Sequence, residues 1–239
     1  MKRVLIFVGI AVLGFLLFAG CGEDSKKEVT ITTTQKESAK GVVIKVSTLK
    51  NVKANPEDQT VFANLNEIFG DAQQLLSAAQ TSGSLKSALL QTVEGCVTQS
   101  GDTITYNNCN YGSTGYSYVI NGTITTSGDV FKVDLTIDID ATGSGYGTKQ
   151  KMVYKGEITI TATNIDGNLD YVVSFDVQGA TSGTYKLNIK YDNIGLDASG
   201  CPTSGKSSIK YDVNAQGQSQ SGTIDLEYGP ACGDVKMYK

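Results

Sequence analysis

Twenty-four carboxylates, five cysteines and no histidine bound the chemistry open to this 239-residue chain. Without an imidazole there is no Ser-His-Asp or Cys-His nucleophile, no histidine-bound zinc and no ordinary haem ligation. Paired carboxylates or a Ser-Lys dyad could still act, but the sequence holds no G-x-S-x-G, P-loop or C-x-x-C pattern. Nine acids, Asp134, Asp138, Asp140, Glu157, Asp176, Asp192, Asp212, Asp225 and Glu227, fall in alternating segments. In pairs they would suit glycoside hydrolysis or calcium. They are interleaved with Lys132, Lys155, Lys186, Lys190 and Lys210, however, so a solvated face of mixed charge accounts for them. The stretch NIDGNLD sets Asn164, Asp166, Asn168 and Asp170 around Gly167 but lacks the later bidentate glutamate of a calcium loop, and it reads as a hairpin turn. Tyr106, Tyr111, Tyr116, Tyr118 and Tyr146 lie in or beside glycine-rich stretches. They suit strand ends more than a sugar- or protein-binding surface. No catalytic residue, metal site or cofactor is expected.

The sulfur chemistry is more definite. Cys96, Cys109, Cys201 and Cys232 form an even set, which in an exported chain reads as disulfides. Three connectivities are possible. Proximity in sequence favours Cys96–Cys109 with Cys201–Cys232, worth roughly 3 and 4 kcal/mol in the chain-entropy account. The spacing does not suit a four-thiolate zinc ribbon.

The fifth cysteine closes the amino-terminal segment. Met1-Lys2-Arg3 is cationic, and Val4 to Phe18 is apolar apart from two glycines. That run is shorter than the roughly 20 residues a membrane-spanning helix needs, and it has the layout of a secretory signal. Its ending, Phe18-Ala19-Gly20-Cys21, resembles the lipobox of bacterial lipoproteins, although that family favours leucine where Phe18 stands. The resemblance implies cleavage before Cys21, a diacylglycerol on its thiol and an acylated new amino terminus. Several acyl chains hold a protein stably on a membrane where a single one is marginal. Gly22 follows in place of the aspartate that holds many such lipoproteins at the inner membrane, so the resemblance favours the outer membrane. Cleavage would leave eighteen lysines, twenty-four acids and no arginine. Nucleic-acid binding is not expected of such a chain, nor is a polybasic lipid site.

These groups must be positioned by the rest of the chain. Residues 1–20 are expected as the signal, 21–40 as a lipidated flexible tether and 41–239 as one globular domain. Within that domain, 41–94 would hold a short strand, Gly41–Thr48, and two amphipathic helices. The first helix begins at Asn55-Pro56-Glu57-Asp58, with a capping side chain, an N1 proline and two acids at the positive end of the dipole. Val61, Leu65, Ile68, Ala72, Leu75 and Ala79 make its stripe, widened by Phe69 and Leu76. The second runs Ser84–Val93. Their apolar face would either pack on the following sheet or form a lid over a cavity.

From Cys96 the period changes from 3.6 to 2. FKVDLTIDID (131–140) alternates throughout, and the pattern recurs in YVVSFDV, TYKLNIKY, IKYDV and TIDLEY. Each strand therefore has one dry and one wet face, the antiparallel signature. With turns at Ser100–Asp102, Ser127–Asp129, Asp166–Asn168, Ala180–Gly183 and Gly229-Pro230, residues 95–239 predict a meander of about ten strands. It would be a curled sheet, half-barrel or barrel, in a mainly β, α+β chain. In order of elements alone, this resembles the half-barrel carriers and acceptors that move lipoproteins across the periplasm. Three functions follow as expectations. The first is an envelope lipoprotein, anchored through Cys21, whose non-catalytic β-domain binds a partner or serves a structural role. The second is a carrier of lipid or another apolar ligand. The third is a carboxylate enzyme acting on polysaccharide.

Overall fold

The computed structural model describes residues 26–49, 60–76, 95–112, 115, 117–142, 147–178, 181–215 and 217–239. The alternating segments form ten antiparallel strands in succession. These are β2 (Val97–Ser100), β3 (Thr103–Asn110), β4 (Ser117–Ser127), β5 (Val130–Asp140), β6 (Thr148–Ile160), β7 (Asn164–Val177), β8 (Thr181–Leu196), β9 (Pro202–Ala215), β10 (Gln218–Tyr228) and β11 (Val235–Tyr238). An eleventh, β1 (Glu28–Val29), adds outside β11. The order across the sheet is β1-β11-β10-β9-β8-β7-β6-β5-β4-β3-β2, an open meander with two edges.

Register aligns the dry-face residues in rows. One row runs Ile104, Ile124, Val133, Gly156, Leu169, Ile189, Ile209, Ile224; the next runs Tyr106, Gly122, Leu135, Tyr154, Tyr171, Leu187, Tyr211, Gly222. At Gly122 and Gly167 the backbone has positive φ, 123° and 131°. A Cβ at Gly122 would collide with the carbonyl of Asp134, and one at Gly167 with that of Glu157. Strands bend at such points and approach closely, which lets a wide sheet curl.

Two helices, α1 (Thr33–Thr48) and α2 (Thr60–Leu76), cover this dry face. Helix α2 follows its stripe: Val61, Leu65, Ile68, Ala72 and Leu75 are buried, with Phe62 and Phe69. The packing alternative for this helix is the one realised. Phe62 meets Tyr106 edge-on at 5.7 Å between ring centroids, and Phe69 stacks on Tyr171 at 4.5 Å. The proposed start at 55–58, the continuation to Ala79 and the second helix at Ser84–Val93 lie outside the described residues.

Helix α1 corrects two expectations, the flexible tether over 21–40 and the strand over Gly41–Thr48. From Lys26 to Leu49 the chain is part of the fold. Thr32 caps α1 through a capping box with Gln35. Ala39, Val42, Val43 and Val46 then form a fully buried stripe at helical spacing. The β-branched run Val42, Val43, Ile44 and Val46 favours a strand by local propensity. Burial against α2 and the sheet overrides that preference, as tertiary packing commonly does.

Both disulfides have the connectivity favoured by proximity. Cys96, just before β2, bonds Cys109 of β3 with 5.2 Å between Cα atoms. Cys201, just before β9, bonds Cys232 in the β10–β11 turn, at 5.5 Å. One staples the strands at the β2 edge; the other ties two turns on the β1 side of the sheet.

Candidate functional site

Three of the wet-face acids are paired with lysines across strands. Lys132 lies 3.4 Å from Glu157, Lys155 3.3 Å from Asp134 and Lys149 3.6 Å from Asp140. These are exposed cross-strand pairs of the kind worth well under 1 kcal/mol each, and they match the mixed-charge reading. The NIDGNLD stretch is not a turn. It lies inside β7, with a bulge between Ile165 and Gly167, while the chain reverses earlier, at Thr161–Asn164. Its side chains bond sideways to the next strand. Asp166 accepts from the Asn193 amide at 3.1 Å, and Asp170 from Asn188 at 2.7 Å. Among the described residues no group of three potential ligands could hold a metal ion.

Four carboxyl groups depart from the ordinary value, and Asp140 and Asp71 show the two directions. Thr142 donates both its hydroxyl, at 2.5 Å, and its amide, at 2.9 Å, to Asp140. With help from Lys149, this holds the Asp140 carboxyl below the usual value. Asp71 of α2 moves the other way, because burial outweighs what Lys45 of α1 returns. The Lys45 Nζ sits 2.9 Å from Asp71 and 3.3 Å from Glu67. Burial alone would lower the Lys45 pKa, but two facing carboxylates carry it upward. This triad links the helices and contains no free acid–base pair.

The dry face ends differently at its two ends. In the rows beneath the helices the aromatic groups are sealed, and their hydroxyls are used for docking. Tyr154 donates to Asn66 Oδ1 at 2.5 Å, Tyr228 to the Ala39 carbonyl at 3.0 Å and Tyr191 to the Val42 carbonyl at 3.4 Å. Burial raises the Tyr171 phenol to about 12 and pushes Tyr154 and Tyr191 up as well. One row farther along, Tyr118, Ile139, Gln150, Phe175 and Gly183 align across β4 to β8 and are only half-buried. Tyr111 meets Tyr118 edge-on at 6.3 Å. At the same strand ends lies an open depression of about 350 Å³, lined by Ser117 and residues 138–140, 149–151 and 174–176. Its charged members are Asp138, Asp140, Asp176, Lys149 and Lys151.

Of the residues singled out in the sequence, Tyr106 is core, Tyr111 and Tyr118 reach this open row, and Tyr116, Tyr146 and Cys21 lie outside the described residues. Phe175 and Gln150 were not singled out as site residues. Their one signal in the sequence is the polar Gln150 on a dry parity. Among the described residues no helix is long and apolar enough to cross a membrane. Comparison with known protein families, with curated proteins and with solved structures finds no match to this chain.

Proposed function

We propose that the chain is a bacterial envelope lipoprotein, anchored through Cys21 with the outer membrane as the favoured address, whose β-domain is a non-catalytic binding module. The observation that carries the binding role is the dry-face row Tyr118–Ile139–Gln150–Phe175, which is only half-buried where the rows beside it are sealed. Its aromatic and aliphatic groups border the depression at the strand ends, whose lining also takes in Asp138, Asp140 and Lys149 of the opposite parity. Apolar area with charge at its border is the make-up of a protein-binding patch. Both disulfides support export to an oxidising compartment.

The same row favours a second reading, a carrier of an apolar ligand, because a half-covered dry face could take part of an acyl chain. A photo-cross-linking amino acid at Phe175, compared with one at Lys210 on the wet face, separates the two readings in intact cells. A reproducible protein adduct confined to the Phe175 position supports the binding module. Lipid adducts there, with lipid retained in native mass spectra, would favour the carrier instead. Identical adducts at both positions would dismiss the row as a site. The mass of the mature amino terminus tests the anchor itself: an unmodified Cys21 removes it.

A further inference from the structure

The folded body begins close to Cys21. Lys27 exchanges backbone hydrogen bonds with Lys239 at 3.1 and 3.2 Å, Glu28 pairs with Tyr238 and Val29 with Met237. Lys26 Nζ reaches Asp225 at 2.6 Å. Five residue steps separate Cys21 from Lys26, and even a fully extended chain spans at most about 18 Å over that length. We propose that the β1–β11 edge of the sheet is held against the lipid surface, with the open row of β4 to β7 on the far side of the sheet from the anchor. The proposal rests on the reading that Cys21 carries the lipid.

Covalent reach, not charge, imposes this orientation. The exposed Lys26, Lys27, Lys236 and Lys239 are matched by Glu28, Asp225, Glu227 and Asp234 around the same edge, which leaves no net attraction for anionic headgroups. The edge itself gives a second reason. β11 pairs only with Asp225–Tyr228, so among the described residues no strand covers the outer side of Gln218–Ile224. That stretch, QSQSGTI, has no lysine, proline or bulge to guard it. Unguarded edges invite pairing with other chains. An edge turned to the bilayer is screened from them.

The test uses the full lipidated chain in vesicles of phosphatidylethanolamine and phosphatidylglycerol, beside a variant with a long Gly-Ser spacer inserted between Glu23 and Asp24. Lysines are acylated with a bulky polymer-linked succinimidyl ester and read by mass spectrometry; a small acylating reagent controls for intrinsic reactivity. With the bulky reagent, Lys26, Lys27, Lys236 and Lys239 should react severalfold more slowly in the native chain than in the spacer variant. Lys132 and Lys155 should react equally in both, and added salt should change nothing. Equal reactivity of the edge lysines in the two proteins, with the acylated terminus confirmed by mass, would overturn the orientation and leave the anchor standing. Protection of Lys132 and Lys155 instead would place the wrong face down. An unacylated Cys21 would bring down both readings.

Discussion

The two helices share one face of one sheet, yet they are attached to it by different means. Helix α2 sends Phe62 and Phe69 among the rings of Tyr106, Tyr154 and Tyr171, and the Tyr154 hydroxyl bonds to Asn66 beside those ring contacts. Helix α1 offers Ala39, three valines and the small or polar Gln35, Ser38 and Ser47. The sheet reaches up to it instead, with the Tyr228 and Tyr191 hydroxyls bonding to its carbonyls and Ser207 bonding to Tyr228 at 3.1 Å. A slim helix can lie close because its side chains are small, and it is then fixed in place by donors aimed at its backbone. Ring packing tolerates small shifts, whereas directed hydrogen bonds do not.

The sharpest way to break that comparison is at Phe69. Truncation by Phe69→Ala removes a ring stacked on Tyr171 and tilted against Tyr154, and should cost about 3–5 kcal/mol in urea unfolding. A loss below roughly 1 kcal/mol would mean that α2 is not held by its rings. Next in size is Gly41. An alanine in a helix interior normally gains about 1 kcal/mol over glycine. At Gly41, however, a Cβ would run into the Asp71 carboxylate of α2. Gly41→Ala should therefore destabilise by about 1–3 kcal/mol. Adding Asp71→Ala should return part of that loss, a coupling that a double-mutant cycle measures. If Gly41→Ala alone stabilises, the Asp71 carboxylate swings aside at little cost and that contact does not limit how close the helices lie. Smaller again is Tyr228→Phe, which deletes the donor to Ala39 and leaves the Ser207 hydroxyl without that partner. About 1 kcal/mol should be lost, and Tyr191→Phe should cost less because its contact is longer, at 3.4 Å. Equal or reversed losses would show that α1 is not anchored through Tyr228.

The same contrast explains what the sequence made legible. Helix α2 has a wide apolar stripe, so its face and its burial follow from spacing alone, and the meander follows from alternation as regular as FKVDLTIDID. The disulfide pairs follow from proximity, since a hairpin and two neighbouring turns bring near-sequence cysteines together. Helix α1 was hidden for two reasons. Its β-branched residues point locally to a strand, and its buried face includes Gln35 and Ser38, which carry no apolar signal. The turn assigned to Asp166-Gly167-Asn168 was misplaced because Asp-Gly marks a bulge as readily as a turn. The open row was invisible because the half-burial of Tyr118, Ile139, Gln150 and Phe175 is a property of tertiary packing alone.

The smallest expected effect sharpens the polar side of the comparison. The Asp71 carboxyl lies above its ordinary 3.8, with burial the main cause and Lys45 opposing it. Between the folded value and 3.8 the native state binds more protons than the unfolded chain, so this group adds stability as pH falls through its folded pKa. Lys45 also lies above its ordinary value; its contribution is fully present below 10.5 and is lost only as pH rises through the folded pKa, well outside the acid window. Asp140, Asp197 and Asp225 act oppositely to Asp71, because their lowered values make acid cost stability. The Asp71 term must therefore be isolated as a difference. Urea midpoints of the native chain and of Asp71→Asn, followed from neutral pH downward, should diverge in favour of the native chain on entering the acid range. If the native chain instead loses ground to Asp71→Asn as pH falls, the Lys45 ion pair outweighs burial at this site, and the junction between the two helices is held by charge.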